Sequence, residues 1–121
     1  DQARPSILLI VEHDVTRRLI SHVLAEEGFE VIEVDKPTIP AEYAGLERAD
    51  TILLDAHLKL ANSYVLCREL SSRREVKGAR IVMFGNGCTS TERLAGLLAG
   101  ADDFISGPFD YKELLSKLNR S

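Results

Sequence analysis

Residues 7–28 read ILLIVEHDVTRRLISHVLAEEG, and this stretch decides the fold. Ile7 to Val11 is an unbroken apolar run, the pattern of a parallel strand covered on both faces rather than one with a wet side. Glu12-His13-Asp14 breaks the run with charge. Leu19, Ile20, Val23 and Leu24 then recur at intervals of three and four, the spacing of a helix with one apolar stripe, and Gly28 supplies the stop. A strand, a polar turn and a helix therefore follow one another within a single short unit.

The same alternation continues to the end of the chain. Further apolar runs lie at Phe29 to Val34, Thr51 to Leu54, Arg80 to Phe84 and Asp103 to Ser106. Helical spacing separates them: Tyr64, Leu66, Cys67 and Leu70, then Leu94, Leu97 and Leu98, then Leu114, Leu115 and Leu118. Thr89 followed by Glu92 predicts a capping box at the start of the fourth helix. The second helix is delayed by Pro37 and Pro40, with Pro40 suited to a first helical turn before Tyr43, Ala44 and Leu46. Strands alternating with helices imply right-handed crossovers and a doubly wound α/β sheet, in which ligands bind outside the carboxyl ends of the strands.

Composition narrows the function. The 121 residues fit one domain, with 45% hydrophobic and 28% charged residues, in the range of soluble globular chains. Fifteen Lys and Arg against 19 Asp and Glu leave a net charge of −4, and the basic residues are scattered, so nucleic-acid binding by this domain is disfavoured. No apolar run is long enough for a membrane span and none resembles a signal peptide, which predicts a cytoplasmic protein without a membrane partner. Cys67 and Cys88 lack metal or redox spacing and read as two reduced, non-catalytic thiols. The start at Asp1 without methionine suggests that residues 1–121 are one domain excised from a longer protein.

Chemistry concentrates at two strand ends. Glu12, His13 and Asp14 leave the first strand, while Asp55 closes the third with His57 two residues on. If those strands are neighbours, three carboxylates converge with one or two imidazoles, and a cation or proton must relieve the repulsion. His13 then pairs with Asp55 as a cation or, less favoured, serves as a transition-metal ligand.

Three segments, ILLIVEHDVTRR (7–18), ILLDAHLKLANSYVLCREL (52–70) and GADDFISGPFD (100–110), resemble the signature regions of response-regulator receiver domains of two-component systems. The resemblance covers nearly the whole chain and implies a flavodoxin-like five-stranded parallel sheet, order 2-1-3-4-5, with five helices. It implies that Asp55 is the candidate phosphoacceptor. Glu12 and His13 occupy the positions of a magnesium-holding acidic pair, with Asp55 and the backbone carbonyl of His57 completing the metal site. Gly85 stands where the family has a hydroxyl residue, and Gly107 stands where it has a lysine. Phe104 aligns with an aromatic switch position, and Lys59 and Ser63 replace the usual proline and glycine of the loop after the phosphoacceptor.

The resemblance thus implies a degenerate phosphorylation pocket, because phosphoryl transfer depends on positioning and on electrostatic stabilisation by metal and basic groups. Magnesium is expected to bind weakly or not at all. The expected role is regulatory rather than enzymatic: a protein-interaction module for a histidine kinase or output domain, through the fourth helix, fifth strand and fifth helix, with homodimerisation on the same face as a further option. Two alternatives stand beside it: a receiver still phosphorylated on Asp55, and a small metal-binding domain built on Glu12, His13, Asp55 and His57. Restoring His13→Asp, Gly85→Thr and Gly107→Lys together is expected to recover labelling that single changes do not. Similar domains carry a cis peptide before the conserved proline, so Gly107–Pro108 is expected to be cis.

Overall fold

The computed structural model describes residues 4–38, 40–73, 78–108 and 110–118. The five apolar runs form five parallel strands: β1 (Ser6–Ile10), β2 (Glu30–Val34), β3 (Thr51–Asp55), β4 (Arg80–Gly85) and β5 (Asp103–Ser106). They hydrogen-bond in the order β2-β1-β3-β4-β5. The order in which strands are added therefore reverses at β1 and β3, which pair in parallel with Ile10 opposite Leu54. That register brings the loop after β1 alongside the end of β3.

Four α-helices cover the sheet: α1 (Asp14–Glu26), α2 (Ser63–Ser72), α3 (Ser90–Ala99) and α4 (Tyr111–Leu118). Alternate β1 residues feed two separate cores. Ile7, Leu9 and Val11 pack with Ile20 and Leu24 of α1 and Leu114 of α4. Leu8 and Ile10 pack with Leu66 and Leu70 of α2 and with Phe104 of β5. Continuous apolar strands are what this two-sided burial requires.

The expected second helix is the departure from five helices to four. Between β2 and β3 the chain makes two 3₁₀ turns, Pro40–Glu42 and Leu46–Arg48. Gly45 separates them with φ of 78°, in the left-handed region, which interrupts any α-helix at that point. Tyr43 and Leu46 still reach the core, and the Tyr43 hydroxyl donates to the Pro37 carbonyl at 2.6 Å. The expected fourth and fifth helices are accordingly α3 and α4.

Helix α3 begins as the sequence predicts. Thr89 Oγ1 accepts from the Glu92 amide, and Glu92 accepts from the Thr89 amide. Its leucines, however, are not its buried face: Leu94 is 55% and Leu98 is 75% exposed. The inward residue is Gly96, where a Cβ would stand 2.7 Å from the Phe104 ring. Phe104 is buried because α3 presents no side chain there. Among the described residues no helix is long and apolar enough to cross a membrane.

Candidate functional site

The loops leaving β1, β3, β4 and β5 meet at one edge of the sheet, and Asp55 stands in the middle. It is half-buried at the end of β3, and Oδ1 accepts from the His57 amide at 2.8 Å. Burial raises its pKa above the ordinary carboxylate value; the His57 amide and ring oppose this, and the Glu12 charge adds to it. Two cavities of about 370 Å³ each open on either side of it.

Glu12 reaches the loop after β3 rather than open space. Its two oxygens accept from the amides of Lys59 and Leu60 at 2.7 and 2.6 Å. Ser63, buried at the start of α2, donates its hydroxyl to the Asp55 carbonyl at 2.8 Å and accepts from the Leu58 amide at 3.2 Å. Between them Glu12 and Ser63 hold the loop that carries Lys59, so the missing proline and glycine do not leave it shapeless. Backbone amides satisfied by a charged oxygen are among the stronger protein hydrogen bonds.

His13 does not pair with Asp55. It is the N-cap of α1, with Nδ1 accepting from the Thr16 amide at 3.2 Å and lying 2.9 Å from Thr16 Oγ1. Capping satisfies an otherwise orphaned helix amide, and an acceptor nitrogen must be unprotonated. Nor does Asp14 surround His13 with charge, because it pairs with Arg17 at 2.7 Å. The Arg17 guanidinium holds the Asp14 carboxyl below the usual range. Arg17 itself is buried; it binds Glu33 of β2 and donates to the carbonyls of Val11 and Glu12, pinning the acidic turn to the sheet. Sequence reading passed over this residue, since an arginine on a helix is usually a solvated one.

The two glycines are where the structure adds most. Neither Gly85 nor Gly107 lies in the left-handed region, so their backbones would accept a side chain. Neighbouring groups leave no room for one. A Cβ on Gly85 would stand 2.9 Å from both Cys88 Sγ and His57 Cδ2. The His57 imidazole leans over the end of β4, and Nε2 lies 3.1 Å from the Asn86 carbonyl and 3.4 Å from Cys88 Sγ. Since a carbonyl only accepts, Nε2 carries the proton in that bond. A Cβ on Gly107 would overlap the Asn86 side-chain amide. Gly107–Pro108 is cis, as the resemblance implied.

In the sequence His57 is picked out for its backbone carbonyl and as a metal-ligand alternative, Cys88 only as a thiol, and Asn86 not at all. Their role depends on side chains crossing from one strand end to the next. Both thiols are free; burial pushes Cys67 up to about 11 and raises Cys88 as well, so neither is an activated nucleophile.

The groups at this edge each have a partner within the domain: Glu12 accepts from two amides, His13 caps a helix, and one Asp55 oxygen accepts from the His57 amide. Among the described residues no group of three or more His, Cys, Asp or Glu side chains is arranged to hold a metal.

A sheet of this order, with an aspartate closing β3 and a cis proline after β5, matches the family description "Response regulator receiver domain" over residues 7–119. The chain belongs to this family. The receiver domain is 30% identical over 113 residues to the transcriptional regulatory protein GltR of Pseudomonas aeruginosa, covering 93% of this chain and 47% of that one. It is 32% identical over 115 residues to the phosphate regulon transcriptional regulatory protein PhoB of Rhizobium meliloti, covering 94% and 50% respectively. The receiver domain thus spans about half the length of these relatives. In three dimensions it resembles the chemotaxis protein CheY4 of Vibrio cholerae, with a TM-score of 0.87, 22% identity and 98% of both chains covered. Receiver domains of two-component response regulators are regulatory modules, and this one shares their five-stranded sheet and strand order, with two 3₁₀ turns in place of the second helix.

Proposed function

We propose that this receiver domain regulates by protein interaction and that its phosphorylation pocket is degenerate, with magnesium held weakly or not at all. One observation carries the reading: the places of the family's hydroxyl and lysine side chains are glycines closed off by His57, Cys88 and Asn86. A phosphoryl group on Asp55 would lack its hydroxyl and ammonium partners. One neutral hydrogen bond contributes about 0.5 to 1.5 kcal/mol and a charge-assisted one about 1.5 to 3 kcal/mol. Their joint loss slows transfer by orders of magnitude.

The partner surface in this reading is the face of α3, β5 and α4. Leu94 and Leu97 of α3 are exposed apolar side chains that the domain's own core does not use, while Leu98 lines a groove with Tyr64, Val65 and Arg68 of α2. A histidine kinase, an output domain or a second receiver would dock on it.

The test is labelling with acetyl phosphate and magnesium, read by mass spectrometry of the intact protein with Asp55→Ala as the blank. Little or no stable adduct is expected. Substantial Asp55-dependent labelling would overturn the degenerate pocket in favour of a phosphorylatable receiver, and stoichiometric zinc binding would favour a metal site.

A further inference from the structure

One cavity beside Asp55 is not accounted for by interaction through α3 and α4. It has a volume of about 370 Å³, and its lining includes Asp55 and His57 together with Ile20, Phe84, Asn86 and Tyr111. That volume falls in the range of small-molecule sites, as does the mixture of apolar walls with a few convergent polar groups.

Three features define what it would hold. The lining contains a carboxylate but no Lys or Arg, and among the described residues no basic side chain lies within ion-pair distance of Asp55. The charge is half-buried, with the His57 amide and ring offsetting only part of the cost of burial, a state that a cation would relieve further. Gly107 brings no side chain toward it, and the Asn86 amide occupies the space through which one would pass.

The walls then choose between cations. Ile20 and Phe84 are buried core residues whose edges line the cavity, and Tyr111 adds a half-exposed ring. A bare divalent ion wants about six oxygens, which these walls lack. An organic cation gains from them twice, by burying its apolar body and by approaching the half-exposed Tyr111 ring. We propose that this cavity is a binding site for a small primary ammonium ion on a short alkyl or arylalkyl body, its charged nitrogen on Asp55 and its body against Ile20, Phe84 and Tyr111. This goes beyond interaction through α3 and α4, and it needs no phosphate.

The experiment is an amide NMR titration of the whole domain in chelator-treated buffer, with 2-phenylethylammonium and n-butylammonium as probes and 2-phenylethanol and n-butanol as uncharged counterparts. Saturable shifts are expected at residues 16, 20, 55–57, 84–86 and 111, with the alcohols about tenfold weaker or more, the scale of one charge-assisted hydrogen bond. Asp55→Asn should weaken the ammonium ions by a similar factor and leave the alcohols unchanged. Tyr111→Ala, on a partly exposed helix position, should weaken the aryl probe more than the butyl one. The proposal is overturned by an absence of saturable shifts in the millimolar range, by equal binding of ammonium and alcohol, or by indifference to Asp55→Asn in a folded domain. Labelling with acetyl phosphate is read separately, so either idea can fail alone.

Discussion

Restoring the family's lysine at position 107 tests the reading of this pocket most directly. The backbone of Gly107 is compatible with a side chain, so any cost of Gly107→Lys comes from space. A Cβ there overlaps the Asn86 amide and stands 2.8 Å from its Cγ and 3.0 Å from its Cα. The first two contacts are with a side chain and vanish in Asn86→Ala; the third is with backbone and does not. Overpacking of this kind costs about 1 to 3 kcal/mol. The larger part should disappear in the Asn86→Ala background, giving a coupling energy of about 1 kcal/mol or more, above the roughly 0.5 kcal/mol scatter of non-interacting pairs.

The same applies to Gly85→Thr, whose Cβ would stand 2.9 Å from both Cys88 Sγ and the His57 ring, so that His57→Ala and Cys88→Ala together are the relieving changes. Summed over both sites, the triple variant His13→Asp, Gly85→Thr and Gly107→Lys would lose about 2 to 6 kcal/mol. Domains of this size commonly hold about 5 to 15 kcal/mol in all. The simple restoration is therefore expected to be unstable and poorly labelled. Adding His57→Ala, Cys88→Ala and Asn86→Ala should recover stability and, with it, labelling of Asp55. Urea unfolding of the four members of the 86/107 cycle measures the coupling. An equal cost for Gly107→Lys in both backgrounds would refute the claim that Asn86 closes the site.

Further outcomes follow from the same geometry. The folded-state pKa of Asp55 is raised, so the native state pays for its charge above that pKa and pays nothing below the unfolded value. Asp55→Asn should therefore raise the urea midpoint at neutral pH, with the gain fading as pH falls toward the ordinary carboxylate range. Ser63→Ala strips partners from the Asp55 carbonyl and the Leu58 amide, and should cost about 1 to 3 kcal/mol in urea unfolding. Gly96→Ala would bring a methyl to 2.7 Å from the Phe104 ring, and thermal unfolding should report a loss of about 1 to 3 kcal/mol.

Two-sided burial and the position of Asp55 at a strand end were legible in the apolar runs between helical repeats, whereas the strand order came from the resemblance carried by residues 7–18, 52–70 and 100–110. Capping at Thr89 was equally legible, being a contact between residues three apart. The second helix was misread because Gly45 adopts a left-handed conformation that periodicity does not reveal. The site departs from the sequence reading for a different reason. His13, Glu12, His57 and Asn86 each had several partners within reach, and local spacing does not choose among them. Which one a side chain takes is decided by distances between separate strand ends, and those exist only once the sheet is assembled. Sequence alone therefore determined that Gly85 and Gly107 lack the family's side chains; the tertiary structure decided which groups a Cβ would meet there, His57 and Cys88 beside Gly85 and Asn86 beside Gly107, because these neighbours come from separate strand ends.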